Sequence, residues 1–435
     1  MPRPSRRPPQ RRTTPKVPPA RRPKRPAWSL PDCRRFTGYK PCFPGTRCYE
    51  RCVDPAPYGT KILIINLDAM GNVLVTTSIL PALKRLHPRS HISWITLKNA
   101  APLLAHNPYV DRVHLWEPEQ WLILQSLKFD MLLNVDKSVR SGALAVAVKA
   151  GTKRGFGITD TGVIVPLNRE AEENYILGLD DHLKFRVNQK SGSRLLCEQF
   201  KLPYRRDRYV LPLDREEAAF VEEFKRSHGL TDRNGMSPDL IVGLNTGCSE
   251  LYPNKKMTVE QHVALINRLR AVEGIRLVLL GGPEDTMRNA EIARQVGDAV
   301  IQTRTTDGVR RGLCSIDLCD VVVSGDSFGM HAAIGRGKYI IVWFGVSCPS
   351  EIDLYDNGLK LIPHGLDCAP CWKKQCPFGL ECIQQIDLDA IVREVVRLRE
   401  SRDELRARAK KAIELPEKTP SMPAWSGRPG ERNAA

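Results

Sequence analysis

Lys61-Ile-Leu-Ile-Ile-Asn66-Leu-Asp-Ala-Met-Gly71-Asn-Val-Leu-Val-Thr-Thr77 is the stretch from which the fold is read. Its first six residues are a short apolar run rich in β-branched side chains, the pattern of a strand buried on both faces of a parallel sheet. A glycine turn at Gly71 follows. Val73 to Leu86 then has the apolar spacing of a helix and stops at His87-Pro88. Pro81 inside it marks a kink or a late first turn. Working outward, His91–Thr96 reads as a strand, Ala100–Ala105 as a helix, Val110–Leu115 and Met131–Val135 as strands, and Val139–Val148 as an apolar helix. Alternation of this kind implies right-handed βαβ units and a parallel sheet.

A second α/β set begins at Leu240-Ile-Val-Gly-Leu244. Val259–Val272 is an amphipathic helix, Arg276–Gly281 a strand ending in a glycine turn, Val321–Ser324 a strand, Met330–Gly335 a helix start and Tyr339–Gly345 another strand. Ile386–Leu415 reads as one long charged helix. Residues 168–215 are polar and read as the connection between halves. The expected division is a basic tail at 1–30, a cysteine-rich segment at 31–56, one α/β domain at 57–205 and a linker at 206–236. A second α/β domain follows at 237–385, then the charged helix at 386–415 and a loose tail at 416–435. Two such halves bind ligands at the carboxyl ends of their strands, in the cleft between them. That architecture alone suits dehydrogenases, two-lobed binding proteins and sugar transferases alike.

Bulk properties narrow the choice. The 435 residues exceed one ordinary core. The chain contains no apolar run long enough to span a bilayer and begins without the apolar core of a signal peptide, so the cytoplasm is the expected compartment. Net charge is +17, and residues 1–26 carry ten basic residues, nine prolines and no acid. Such a segment buries no core. It is either a tether to an anionic surface, such as inner-leaflet lipid, or a solubilising tail. The body has no helix-turn-helix, RRM or zinc-finger signature, which sets nucleic acid aside as a partner except through that tail. Neither half shows G-x-G-x-x-G between strand and helix, which argues against a dinucleotide dehydrogenase. Eight of the thirteen cysteines fall into two groups, Cys33, Cys42, Cys48 and Cys52, and Cys368, Cys371, Cys376 and Cys382. Each group has the thiolates for a structural zinc; local disulfides, free thiols or an Fe–S cluster are the alternatives.

Five motifs in order carry a resemblance. Asn66 to Thr77 with Leu80-Pro-Ala-Leu-Lys84, then Asn245-Thr-Gly247 with Lys255-Lys256, Leu280–Asp285, Ser324–Ala333 and the second cysteine run together resemble the heptosyltransferase-like glycosyltransferases of family 9. The resemblance covers roughly residues 58–400. It implies a GT-B fold: α/β, with two Rossmann-like domains whose parallel sheets face a central cleft. It also implies no DxD metal motif, a nucleotide-sugar donor that is typically ADP-heptose, and glycan acceptors, often lipopolysaccharide core sugars.

By that resemblance, Asp326 and the backbone N–H groups of Ser327, Phe328, Gly329, Met330 and His331 hold the donor diphosphate at a helix N-terminus. The competing reading is that Asp326 caps the helix. Gly329 would let the backbone approach the phosphates. Lys255 would neutralise the leaving group. Thr246 and Gly247 would lie over the phosphates or the sugar, and Glu284 or Asp285 would accept from the ribose hydroxyls. Gly71 belongs to the first loop. There the family has an aspartate after the glycine, its presumed general base, and this chain has Asn72. An amide does not take a proton from a hydroxyl at neutral pH. Either Asp68 serves instead, or a diphosphate oxygen takes the proton late, or the chain binds donor without transfer. Asp387-Leu-Asp389 has DxD form but opens a helix, where capping is the expected job. The expected function is an inverting, metal-independent glycosyltransferase acting on a cell-surface glycan or lipid-linked glycan, with no cofactor required for catalysis. A non-catalytic nucleotide-sugar binder is the alternative.

Overall fold

The computed structural model describes residues 32–36, 38–42, 47–50, 54–232, 235 and 237–415. It divides into two compact units, residues 1–58 and 59–435. The described part of the first is made of turns, closed by an Arg35–Asp54 ion pair at 2.5 Å and an Arg34 N–H bond to the Ala56 carbonyl. Cys52 and the basic tail at 1–26 lie outside the described residues.

The second unit holds two six-stranded sheets. The first comprises β1 (Lys61–Ile65), β2 (His91–Thr96), β3 (Arg112–Leu115), β4 (Lys128–Asn134), β5 (Lys149–Ile158) and β6 (Ile164–Pro166). Its order is β3-β2-β1-β4-β5-β6, parallel except for the β5–β6 pair. The second comprises β7 (Leu240–Asn245), β8 (Ile275–Leu280), β9 (Val300–Gln302), β10 (Val321–Gly325), β11 (Tyr339–Trp343) and β12 (Gly358–Leu361). Its order is β12-β11-β10-β7-β8-β9, all parallel. Each is the doubly wound order in which the chain leaves the first strand to one side and returns on the other. Ile62, Leu63, Ile64 and Ile65 in β1, like Val321, Val322 and Val323 in β10, are buried, as strands covered by helices on both faces require. The two central strands thus form because their side chains find apolar partners above and below the sheet.

One apolar cluster runs through both lobes, from Val73, Leu74 and Leu83 to Met330, Ile334 and Tyr355. The helix Met70–Thr76 packs on the helix Phe328–Gly335, so the openings of two glycine-loop helices meet.

Three expectations need correction. The helix expected over Val73–Leu86 is divided into Met70–Thr76, a 3-10 turn at Thr77–Ile79, and Leu80–Leu86. Pro81 sits in the first turn of the last piece, where its missing N–H costs nothing. The long charged helix is two helices, Leu388–Glu400 and Arg402–Ile413, broken at Ser401. Serine favours helix ends, and charge periodicity runs through such a break unseen. Finally, Ala101–Leu104 is a 3-10 turn and not an α-helix. Strands β5 and β12 fell in stretches whose periodicity marked no strand.

Candidate active site

The site grows from the carboxyl ends of β7 and β10. Asp326 follows β10 directly and is buried. Lys255 ends a 3-10 turn at Pro253–Lys255, and its Nζ lies 2.7 Å from Asp326 Oδ2. Burial would raise the Asp326 pKa. The Lys255 ammonium, the nearby His331 ring and the Ser347 hydroxyl outweigh it and hold the carboxyl below its ordinary value. Lys256 turns the other way, 3.5 Å from Asp285 Oδ1, which resolves which of the two lysines faces the site.

Asp326 does not cap the helix it precedes. Helix Phe328–Gly335 has no side-chain cap at all. The Ser327 hydroxyl, at the cap position, instead meets Asn245 Nδ2 at 3.0 Å and Ser324 Oγ at 3.2 Å. The first N–H groups of this helix therefore have no side-chain acceptor, and a helix end in that state binds anions. Asn245 organises the turn: its Nδ2 also donates to Ser324 Oγ at 2.9 Å and to the Gly247 carbonyl at 3.1 Å. A Cβ on Gly329 would lie 2.7 Å from the Asn245 amide. Protein packing by itself therefore requires glycine at this position.

His331 is buried. Burial and Lys255 lower its pKa, against the pull of Asp326. Its Nε2 lies 3.9 Å from Asp326 Oδ1, and its Nδ1 is buried without a hydrogen-bond partner. Tyr209 packs against the ring at a centroid distance of 6.1 Å. Met330 is buried in the core and Phe328 packs against it, so of these two only the backbone is offered to a ligand.

The other expected donor residues make contacts within the second lobe. The Thr246 hydroxyl is buried and bonded to Asn289 Oδ1 at 2.5 Å and to the Leu280 carbonyl at 3.3 Å, which ties β7 to β8. Gly247 faces Asp285, whose Oδ2 would lie 1.8 Å from an added Cβ. Asp285 itself is buried and accepts from the Gly282 N–H at 2.9 Å. It caps the turn, which leaves Glu284 as the exposed carboxylate there. Asp387 accepts from the Ala390 N–H at 2.8 Å and Asp389 pairs with Arg268, so the DxD sequence is a cap.

From the first lobe, Gly71 reaches His331 directly: an added Cβ would lie 2.6 Å from His331 Cδ2. Asn72 is exposed on the first turn of its helix. Asp68 is exposed too and paired with Arg140 at 2.7 Å.

Sequence reading missed the approach of the second cysteine loop to Lys255. Trp372 lies on that loop, and the ammonium groups of Lys255 and Lys184 each approach its ring centroid at 4.8 Å. Arg186 holds the loop through the Asp367 and Ala369 carbonyls, and Lys184 pairs with Glu351 at 3.6 Å. An aromatic residue among cysteines gives no local signal for such a position. Cys368, Cys371, Cys376 and Cys382 line one small cavity with Gly345. None of the four is in a disulfide, and burial together with the other three pushes Cys382 up to about 11. Among the described residues the grouping of metal-competent atoms within 4.8 Å is His106, Asp214 and Glu217, where Arg310 already pairs with Glu217.

Two Rossmann-type lobes, each with a doubly wound sheet, are the GT-B architecture. The match of residues 121–381 to the model for glycosyltransferase family 9 (heptosyltransferase) makes the chain a member of that family. It is similar to the lipopolysaccharide core heptosyltransferase OpsX of Haemophilus influenzae, with 21% identity over 310 residues, covering 68% of this chain and 82% of that one. Its fold resembles a family 9 glycosyl transferase from Veillonella parvula, with a TM-score of 0.59 and 20% identity, covering 79% of this chain and 97% of that one. It also resembles the ADP-heptose lps heptosyltransferase II of E. coli, with a TM-score of 0.58 and 17% identity, covering 79% and 100%.

Proposed function

We propose that this glycosyltransferase moves a heptose from ADP-heptose, or a closely related nucleotide sugar, to a lipopolysaccharide-core acceptor, with inversion and without a catalytic metal. One observation carries the donor half of the reading: the Lys255–Asp326 pair stands at the uncapped N-terminus of helix Phe328–Gly335. Free N–H groups and an ammonium are what a leaving diphosphate needs, in a site dry enough to make them count. The His331 ring, whose Nδ1 has no protein partner, adds a polar group, and Glu284 is the exposed carboxylate for the ribose. The positive charge at the diphosphate comes from Lys255, which supports metal-independent transfer. The heptose and the acceptor rest on the names of the relatives.

The second reading, a binder that transfers nothing, is favoured by Asn72 alone. Residues 1–26 would hold the enzyme at the anionic inner face of the cell membrane. The thiols of Cys368, Cys371, Cys376 and Cys382 are the donor set of a structural zinc, which would brace the loop that carries Trp372.

The test combines thermal shift with ADP-, GDP- and UDP-sugars and nucleotide release on adding acceptor. Stabilisation by the ADP sugar, lost in Asp326→Ala, with release in the wild type, is the expected result. Stabilisation without release, and release gained only in Asn72→Asp, would establish the binder. No stabilisation by any nucleotide would end both readings.

A further inference from the structure

Position 72 offers only an amide, and Asp68 is engaged by Arg140. A different carboxylate is tied to the same first loop. In the first sheet β1 and β4 are neighbours whose connections run to opposite sides. Their carboxyl ends flank the topological switch point, where open α/β sheets bind ligands. Asn66 and Leu67 follow β1, and Asp136 follows β4 by two residues. Asp136 Oδ2 accepts from the Leu67 N–H at 2.5 Å, and Oδ1 accepts from Asn66 Nδ2 at 2.7 Å. Asn134 Oδ1 in turn accepts from the Asp136 N–H at 3.3 Å. The carboxylate is thereby fixed against the first loop, and each oxygen keeps a second acceptor position. The charged groups that face it are Asp68 and Arg140. The adjoining Lys137 carries the charge influence of Lys184 and Glu351, and Glu351 that of Asp326.

We propose that Asp136 is the proton acceptor for the acceptor hydroxyl, the task Asn72 does not perform. The proposal rests on the transferase reading above. In the step, the hydroxyl oxygen bonds to the anomeric carbon as the bond from that carbon to the diphosphate oxygen breaks. The electron pair leaves with the nucleoside diphosphate, and the hydroxyl proton passes to the Asp136 carboxylate. The basicity suits the task. Burial pushes Asp136 up to about 7, aided by the Asp68 charge and opposed by the Leu67 and Asn66 hydrogen bonds and by Arg140. A base near the working pH is the efficient choice.

The experiment uses the full chain, ADP-heptose and a heptose-deficient lipopolysaccharide acceptor. Asp136→Asn keeps an acceptor for the Leu67 N–H but loses the base. Its kcat should fall by about 100-fold or more while ADP binds within twofold of wild type. The wild-type kcat should show an acid limb near pH 7 that is absent in Asp136→Asn, and Asp136→Glu should regain part of the rate. Asp136→Asn within threefold of wild type, or a wild-type profile without that limb, overturns the proposal and leaves the transferase reading standing. So does removal of the limb by Asp68→Asn in place of Asp136→Asn. Equal losses of rate and ADP affinity in Asp136→Asn, without recovery in Asp136→Glu, would assign Asp136 to fastening the loop. ADP binding without transfer by the wild type overturns both the reading and the proposal.

Discussion

Gly71 of the first lobe lies so close to His331 of the second that a methyl group on Gly71 would stand 2.6 Å from the imidazole Cδ2. The ring is buried, with Tyr209 beside it and Asp326 nearby, so it has little room to retreat. The two glycine-loop helices are therefore in contact through a position where only hydrogen fits. Gly71→Ala should push the lobes or the ring apart. We expect kcat/KM to fall by about tenfold or more, since a displacement of about 1 Å at a reacting centre is that costly. Steady-state kinetics check it, and wild-type values would contradict the contact.

Lys255→Ala should leave the buried Asp326 carboxylate without its ammonium partner. Removing one partner of a buried pair typically costs about 3–5 kcal/mol, and the Asp326→Asn change beside it should restore much of that. Denaturant unfolding of the single and double variants gives the coupling. Additive losses would mean that the pair is not formed.

The same pair sets a pH dependence. The folded-state pKa of Asp326 lies below its ordinary value, so its contribution to stability is present above that value and is lost as pH falls through the lowered one. In Lys255→Ala the acid-side loss should begin at higher pH than in the wild type. Melting temperatures from pH 3 to pH 7 would show it. Asp136 has the opposite sign: its pKa is raised to about 7, so stability declines as pH rises towards 7. Asp136→Asn should therefore compare better with wild type at pH 8 than at pH 4.5.

Asn245→Ala removes a donor shared by Ser324, Ser327 and the Gly247 carbonyl. It should destabilise the fold by about 1–3 kcal/mol, because buried acceptors are left without a partner. Thermal shift by ADP should shrink as well, since the same amide shapes the turn before helix Phe328–Gly335. Unchanged nucleotide response would separate the turn from the donor site.

If the second cysteine group holds zinc, the metal content of the purified chain should be near one atom per site and should drop in Cys371→Ser. Chelation should then lower the melting temperature and weaken donor binding together, because Trp372 on this loop sits against Lys255. Metal-free protein with unaltered binding would make these free structural thiols.

Strand–glycine turn–helix units, the GT-B fold class and the order of the family motifs were legible in the sequence, because β-branched runs and glycine turns are local signals. The run from Asp326 to His331 was legible for the same reason: a strand end, small residues and a helix start are adjacent in the chain. Tertiary structure alone decided which side chains face the cleft. Thr246 and Asp285 lie in the motifs, but their side chains are engaged within the lobe by Asn289, Gly282 and Lys256. Lys255 and Lys256 are indistinguishable by type, and only packing turns one to Asp326 and the other to Asp285. Asp136 and Trp372 come from segments 64 and 300 residues away from Asn72. No pattern along the chain marks them, because what brings them to the cleft is the crossing order of the first sheet and the path of a loop.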